Sequence, residues 1–150
     1  MATQKIEKSI VINASKENIW KVLTEDQYTR NWYAEFCEGS HAETDWQVGS
    51  KAIFKDASGS EMVAKITENK PYNKLSLEYM GVLMNGLEDC ESEESNKYKG
   101  GVEAYHLTDE NGHVLLSIES DMTVEYFESM SKSWDNALNK IKELAENGIN

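Results

Sequence analysis

Residues 126–147 read YFESMSKSWDNALNKIKELAEN, and the rest of the chain is organised around this stretch. Its large apolar side chains recur every three or four residues, which is the spacing of one face of an α-helix; they are Phe127, Met130, Trp134, Leu138, Ile141 and Leu144. Polar side chains occupy the other positions, so the pattern predicts an amphipathic helix with one buried face. Most of the preceding chain alternates like β-strands, and we expect a sheet to cover that face.

The length and charge of the chain indicate how many domains it forms and which kinds of partner it is expected not to bind. At 150 residues it is predicted to form one domain, residues 1–150. With 15 basic and 27 acidic residues the net charge is −12, which opposes binding to nucleic acid and to anionic membranes. No apolar run approaches the ~18 residues needed to span a bilayer, and the N-terminal residues lack the apolar region of a signal peptide. We therefore expect a cytoplasmic protein with no nucleic-acid partner and no integral membrane association.

The sequence contains no recognisable metal or cofactor motif. Cys37 and Cys90 lie far apart and are interpreted as two free thiols. His41, His106 and His113 are scattered, whereas a zinc site needs three or four convergent ligands. There is no phosphate-binding glycine loop and no HExxH sequence. We expect no metal and no cofactor.

The first third of the chain predicts a strand followed by two short helices. Lys5 to Asn13 alternates between apolar and polar side chains and is predicted to be a half-buried strand. Ser15 is placed to cap a helix, since its side chain can accept a hydrogen bond from a free backbone amide. A second short helix is predicted to carry Tyr28 and Trp32 one turn apart, and Phe36 to Ala42 is interpreted as the next strand.

The middle of the chain predicts three strands and one irregular segment. The strands cover Lys51 to Lys55, Glu61 to Thr67 and the segment around Leu75 to Tyr79. Val82 to Gly100 is acidic and breaks the alternation, so we interpret it as a surface excursion with a helical turn near Asn85 to Cys90. Two alternatives remain for this excursion: a solvated loop without a task, or a mobile lid or ion site.

Two strands, Val102 to Thr108 and His113 to Met122, flank a predicted four-residue hairpin loop. If Thr108 pairs with His113, the opposed residues are Leu107 with Val114, Tyr105 with Leu116, and Glu103 with Ile118. These pairs share one side of the sheet, and their apolar members make it the inner side. The alternation thus predicts that Glu103 points inward, while His106 and Glu119 point outward.

The element order is strand, two helices, about six strands and a long helix, which predicts an α+β fold. Short connections between consecutive strands indicate an antiparallel sheet. The residues that identify a family are spread along the whole chain: Ile10 to Ser15, Ile19-Trp20, Leu23-Thr24, Trp32, Gly49, Phe54, Lys70 to Tyr72, Trp134, Leu138 and Leu144.

In these residues and in its element order the chain resembles the START-like helix-grip (SRPBCC) superfamily. Within it, the chain is most similar to the branch of activator-of-heat-shock-protein-ATPase homologues. The resemblance implies a curved antiparallel sheet of about six to seven strands wrapped around the C-terminal helix, with a cavity between them. Members of the superfamily bind lipids, hormones or polyketides, some are cyclases or dehydratases, and some bind chaperones.

The candidate ligand-binding residues are those expected to face such a cavity: Trp32, Phe54, Tyr79, Glu103, Tyr105, Leu116, Ile118, Met130 and Trp134. The alternative is that the apolar members only pack together as core, because aromatic residues dominate cores. Glu103 is the candidate catalytic residue. A carboxyl group in an apolar shell has a raised pKa and could act as a general acid or orient a ligand hydroxyl. The alternative is that Glu103 reaches water or pairs with a lysine.

Three functions fit the sequence. The first is non-enzymatic binding of a small hydrophobic ligand, lipid-like or aromatic, because no catalytic constellation is evident. The second is an enzyme of the polyketide cyclase or dehydratase type, which needs at least two polar side chains converging in the pocket. The third is a stress-response protein that binds a chaperone, with a homodimer as a further candidate assembly.

Overall fold

The computed structural model describes residues 3–57, 61–84, 87–89 and 99–147. The elements are β1 (Thr3–Ile12), α1 (Lys16–Thr24), α2 (Asp26–Tyr33), β2 (His41–Glu43), β3 (Lys51–Lys55), β4 (Glu61–Lys70), β5 (Lys74–Met84), β6 (Leu87–Asp89), β7 (Val102–Glu110), β8 (His113–Thr123), a 3-10 turn (Val124–Tyr126) and α3 (Phe127–Glu146). This order confirms the predicted strand, two short helices, run of strands and long final helix.

The strands form one antiparallel sheet in the order β1-β8-β7-β5-β4-β3-β2, and β6 pairs with the end of β5. The pairing of β4 with β5 shifts register twice, between Val63 and Ala64 and between Ile66 and Glu68. Such bulges bend a strand and increase its twist, which helps the sheet to curl. The curled sheet with α3 against it confirms the predicted α+β helix-grip fold.

Helix α3 buries the face that its periodicity predicts, although not evenly along its length. Trp134, Leu138 and Ile141 are at most 4% exposed, whereas Phe127 and Met130 are only partly buried. The well-buried part therefore begins at the second turn, and the first turn packs less tightly against the sheet.

Polar contacts attach the outer side of α3 to β1. The Lys142 Nζ donates to the Val11 carbonyl at 2.9 Å, and the Lys8 Nζ donates to the Asp135 Oδ1 at 2.7 Å. The Glu146 Oε2 accepts the Asn13 amide at 2.7 Å. Exposed contacts of this kind contribute little individually, so the buried face provides most of the attachment.

The two short helices pack on each other and on α3. Ser15 caps α1 as predicted, because its Oγ accepts the Asn18 amide at 3.1 Å. The Trp32 indole N–H donates to the Val22 carbonyl at 2.8 Å and joins α2 to the buried side of α1. The indole N–H group of Trp32 is therefore occupied by a hydrogen bond within the fold.

The hairpin between β7 and β8 has a shorter loop than the four-residue loop predicted from the sequence. Asn111 and Gly112 have φ of 49° and 86°, so the loop is a two-residue turn with both central residues left-handed. Leu107 pairs with Leu116, and Tyr105 with Ile118; the predicted partners were each two residues away. Because side chains alternate with a period of two, this shift leaves every residue on its predicted face.

Two other local predictions are wrong. The strand predicted at Phe36 to Ala42 is reduced to the start of β2, because Gly39 has φ of 77° and Phe36 packs its ring on Trp134, with the centroids 4.9 Å apart. The helical turn predicted near Asn85 to Cys90 is replaced by β6, which pairs with the end of β5. Residues 85–86 and 90–98 of the acidic excursion lie outside the described residues.

Candidate ligand pocket

A pocket of about 590 Å³ lies between the first two turns of α3, helix α2 and the inner face of the sheet. It lies beside the first turn of α3, where Phe127 and Met130 are only partly buried. Seven of the nine residues singled out from the sequence line it: Trp32, Phe54, Tyr79, Glu103, Tyr105, Met130 and Trp134.

Leu116 and Ile118, the other two, do not line the pocket. They are 0% and 1% exposed and lie on the inner face of β8, where β1 and β7 flank them. This part of the sheet is covered by the tightly packed part of the core. Their inward orientation was predicted correctly, but they are core residues instead of pocket residues.

Aromatic rings form a continuous wall around the pocket. Tyr33 contacts Trp32 edge-to-face at 4.5 Å between ring centroids and Phe54 at 6.2 Å. Phe54 lies 6.2 Å from Tyr79. On the helix side, Trp134 lies 6.2 Å from Trp32. Ring pairs at these separations add packing energy beyond the area they bury, so the rings of this wall stabilise one another.

Glu103 is the polar centre of this wall, and its predicted inward orientation is confirmed. Its Oε1 accepts the Tyr79 hydroxyl at 3.1 Å, and its Oε2 accepts the Tyr105 hydroxyl at 2.5 Å. Tyr79 lies on β5, while Tyr105 follows Glu103 by two residues on β7 and so shares its face. Each carboxyl oxygen thus has one neutral donor.

Burial changes the protonation of this cluster. Desolvation raises the pKa of Glu103, and the hydrogen bonds from Tyr105 and Tyr79 oppose that rise only in part. Burial and the nearby Glu103 charge raise the pKa of Tyr33, Tyr79 and Tyr105. The tyrosine hydroxyls therefore remain protonated at neutral pH, and Glu103 is the group of this cluster whose charge responds to pH.

Several lining residues were not singled out from the sequence. The apolar ones are Tyr33, Phe36, Met62, Met122 and Tyr126. Met122 could have been predicted from the sequence, because it continues the alternation that points side chains of β8 inward. Phe36 could not have been, since it lies three residues beyond the end of α2, where helical periodicity no longer applies.

The edge of the pocket carries charged and weakly polar groups. Lys55, Asp56, Lys99 and Asp121 contribute to the lining. Cys37 lies beside them as a free thiol, and burial together with a hydrogen bond to Asp56 raises its thiol pKa. A protonated thiol is a weak nucleophile, so this arrangement does not favour cysteine chemistry.

Neither a metal centre nor a membrane span emerges from the part of the chain that the structure describes. Within that part, no three histidine, cysteine or acidic side chains are grouped closely enough to hold a metal ion. None of the helices in the same residues combines the length and hydropathy required to cross a membrane.

The curled sheet, the helix it wraps around and the pocket between them define a START-like helix-grip protein. The family model described as "Activator of Hsp90 ATPase homolog 1-like protein" matches residues 13–146. The chain belongs to this family.

Solved structures with the same fold have low sequence identity to this chain. The Aha1 dimer from Colwellia psychrerythraea has a TM-score of 0.71 at 18% identity, covering 98% of this chain and 99% of that one. A protein from Mesorhizobium loti has a TM-score of 0.76 at 13% identity, with 98% and 100% covered. DynU16, described as a putative protein in the dynemicin biosynthetic locus, has a TM-score of 0.68 at 11% identity, with 93% and 46% covered. No curated protein matches the sequence significantly.

The raised pKa of Glu103 predicts a specific pH dependence of stability. The folded state holds the Glu103 proton to higher pH than the unfolded chain does, so the free energy of unfolding falls as pH rises from the ordinary carboxyl value of 4.5 through the raised folded value. Glu103→Gln should remove this fall, whose slope is at most about 1.4 kcal/mol per pH unit. Urea denaturation across this range measures the effect.

The control for this measurement is Glu119→Gln, which removes one carboxyl group from the partly exposed outer face of β8. The difference curve between wild type and Glu103→Gln should slope downward with pH, and the Glu119→Gln curve shows how much of that slope the loss of any carboxyl group would produce. A Glu103→Gln curve parallel to the wild-type curve would show that burial does not perturb this carboxyl group.

Proposed function

We propose that this chain binds a small hydrophobic molecule, lipid-like or aromatic, in the pocket beneath α3. The observation that supports this proposal most directly is the aromatic wall, which surrounds about 590 Å³ of space and includes the Glu103 cluster. That volume falls within the roughly 300–1,000 Å³ typical of small-molecule sites, which combine apolar walls with a few polar groups. The family match over residues 13–146 also supports treating residues 1–150 as one START-like domain.

The binding proposal is tested by filling the pocket. Met130 lines it from α3, and Lys132 lies on the exposed side of the same helix. Met130→Trp should occupy part of the ligand volume and weaken binding by at least about tenfold, or about 1.4 kcal/mol. Lys132→Trp adds the same side chain outside the pocket and should bind like the wild type.

A panel of fatty acids, sterols and polycyclic aromatic compounds would be screened by thermal shift and native mass spectrometry, with affinities then measured by calorimetry. Urea denaturation of both variants checks that they fold. Equal affinity of Met130→Trp and wild type would place the bound compound elsewhere, and no binding from the panel would contradict the proposal.

The Glu103 cluster also favours a second function, an enzyme of the polyketide cyclase or dehydratase type. Three polar side chains, Glu103, Tyr79 and Tyr105, converge on one wall of the pocket. A protonated carboxyl group beside two hydroxyls could exchange a proton with a bound carbonyl or hydroxyl group. Mass spectrometry of an aromatic polyketide substrate after incubation distinguishes the two functions, since a carrier returns it unchanged and an enzyme converts it.

A chaperone partner or a homodimer has weaker support. Hsp90 is named in the description of the matching family, and a dimer is named in the description of the Colwellia protein. The exposed large apolar side chains among the described residues are Val11, Val48, Tyr72, Val124 and Tyr126, and they are spread over four segments of the chain. Val124 and Tyr126 belong to the same 3-10 turn, and the other three residues lie in separate segments.

A further inference from the structure

The charge of Glu103 has no cationic partner among the residues that the structure describes. Its two hydrogen-bond donors are the neutral Tyr79 and Tyr105 hydroxyls. Lys55, a basic lining residue, instead pairs with Glu43 at 3.2 Å and Glu61 at 3.9 Å on the strands beside it. Glu103 is half-buried, and a nearby positive charge stabilises the ionised form of a partly desolvated carboxyl group, so a cationic ligand group would be attracted more strongly here than at the surface.

The aromatic wall offers the same ligand a second attraction. The Tyr79 ring stands beside Phe54, and the Tyr105 ring lies 6.2 Å from Trp32 and 6.0 Å from Trp134. The π-face of an aromatic ring attracts a cation, and cages of several rings are a recurring way to recognise organic ammonium groups. The net charge of −12 attracts cations over longer distances.

We propose that the pocket selects hydrophobic ligands that carry an amine or quaternary ammonium group, with the cationic group beside Glu103 and the apolar part between the aromatic wall and Met130. This inference rests on the proposed small-molecule function and specifies the ligand class. The Tyr33 hydroxyl lies close enough to Glu103 for the carboxylate charge to raise its pKa, and it can accept a hydrogen bond from a protonated amine.

The proposal links binding to pH. A bound cation stabilises the ionised form of Glu103, so affinity should rise as pH passes through the raised pKa of free Glu103 and then level off. The groups that face this carboxyl are Tyr33 on α2, Tyr79 on β5 and Tyr105 on β7, and burial raises the pKa of all three. The other charged groups of the lining are Lys55, Asp56, Lys99 and Asp121.

The test compares two compounds that differ only in charge, benzyltrimethylammonium and its carbon isostere neopentylbenzene. Calorimetry or ligand-observed NMR is carried out over a pH series that starts at the ordinary carboxyl value of 4.5 and extends beyond neutral pH. The ammonium compound should bind wild type at least about tenfold more tightly than the isostere at the upper end. Its affinity should fall by about tenfold in Glu103→Gln, while that of the isostere should stay within about threefold.

Glu119→Gln is the matched control, because it removes a carboxyl group from the outer face of β8, outside the pocket lining. This variant should retain the preference for the ammonium compound. Equal affinities for the two compounds, or an unchanged ammonium affinity in Glu103→Gln, would overturn the selection for cations while leaving binding of neutral ligands intact. Unaltered isostere binding in Glu103→Gln also shows that the variant keeps a folded pocket.

Discussion

Trp134→Ala is expected to lower the free energy of unfolding by about 3–5 kcal/mol, the cost of removing a large aromatic side chain from a core. Trp134 is 1% exposed in the second turn of α3. Its ring contacts Phe36 at 4.9 Å and Tyr105 at 6.0 Å between centroids, and so links the helix to the chain after α2 and to the sheet. The variant loses all of these contacts together. Small domains are stable by only about 5–15 kcal/mol, so a large fraction would be lost.

Urea denaturation with a constant m-value measures this effect. Trp20→Ala is the matched control, because Trp20 is only partly buried on α1 and its ring contact is with Tyr72, itself 44% exposed. The control should lose less than half as much stability. Equal losses for the two variants would mean that α3 does not provide the central packing of this fold.

Leu116→Ala is expected to cost about 2–5 kcal/mol and to leave ligand affinity unchanged. Leu116 is 0% exposed on β8, opposite Ile10 of β1 and Leu107 of β7. Removing its side chain leaves a void that these neighbours fill only in part, which is why such substitutions cost more than the transfer energy of the lost atoms. Because Leu116 does not line the pocket, its loss should not change the bound ligand's contacts.

Leu115→Ala removes the same side chain from the preceding residue, which points to the opposite face and is partly exposed. It should cost less than half as much, as measured by the same denaturation curves. Calorimetry with any ligand identified for the wild type completes the comparison. If Leu116→Ala weakened binding as strongly as Met130→Trp, the division between the solid core and the pocket would be misplaced.

The candidate site was predictable where a residue's face depends on local periodicity. Glu103, Tyr105 and Tyr79 were expected to point inward because strand alternation decides the face, and an error of two residues in the hairpin register did not change it. Trp134 and Met130 were likewise identified from the helical spacing of α3. These signals need only a few neighbouring residues.

The division between pocket and core was not predictable from such signals. Leu116 and Trp134 both point inward, yet only Trp134 lines the pocket. The difference depends on where α3 separates from the sheet, and the bulges near Val63 and Ile66 contribute to the curvature that sets this. The residues near any one position in the sequence do not indicate where α3 separates from the sheet.

By itself the sequence determined the helix face, the order and alternation of the strands, and the inward direction of Glu103, because each depends on contacts between residues close together in the chain. Only the tertiary structure decided that two tyrosine hydroxyls meet Glu103, that Tyr33 and Phe36 join the wall, and that Leu116 and Ile118 belong to the core. The physical reason is that a pocket is space left between elements distant in sequence. Its position follows from sheet curvature and from the varying depth to which α3 packs.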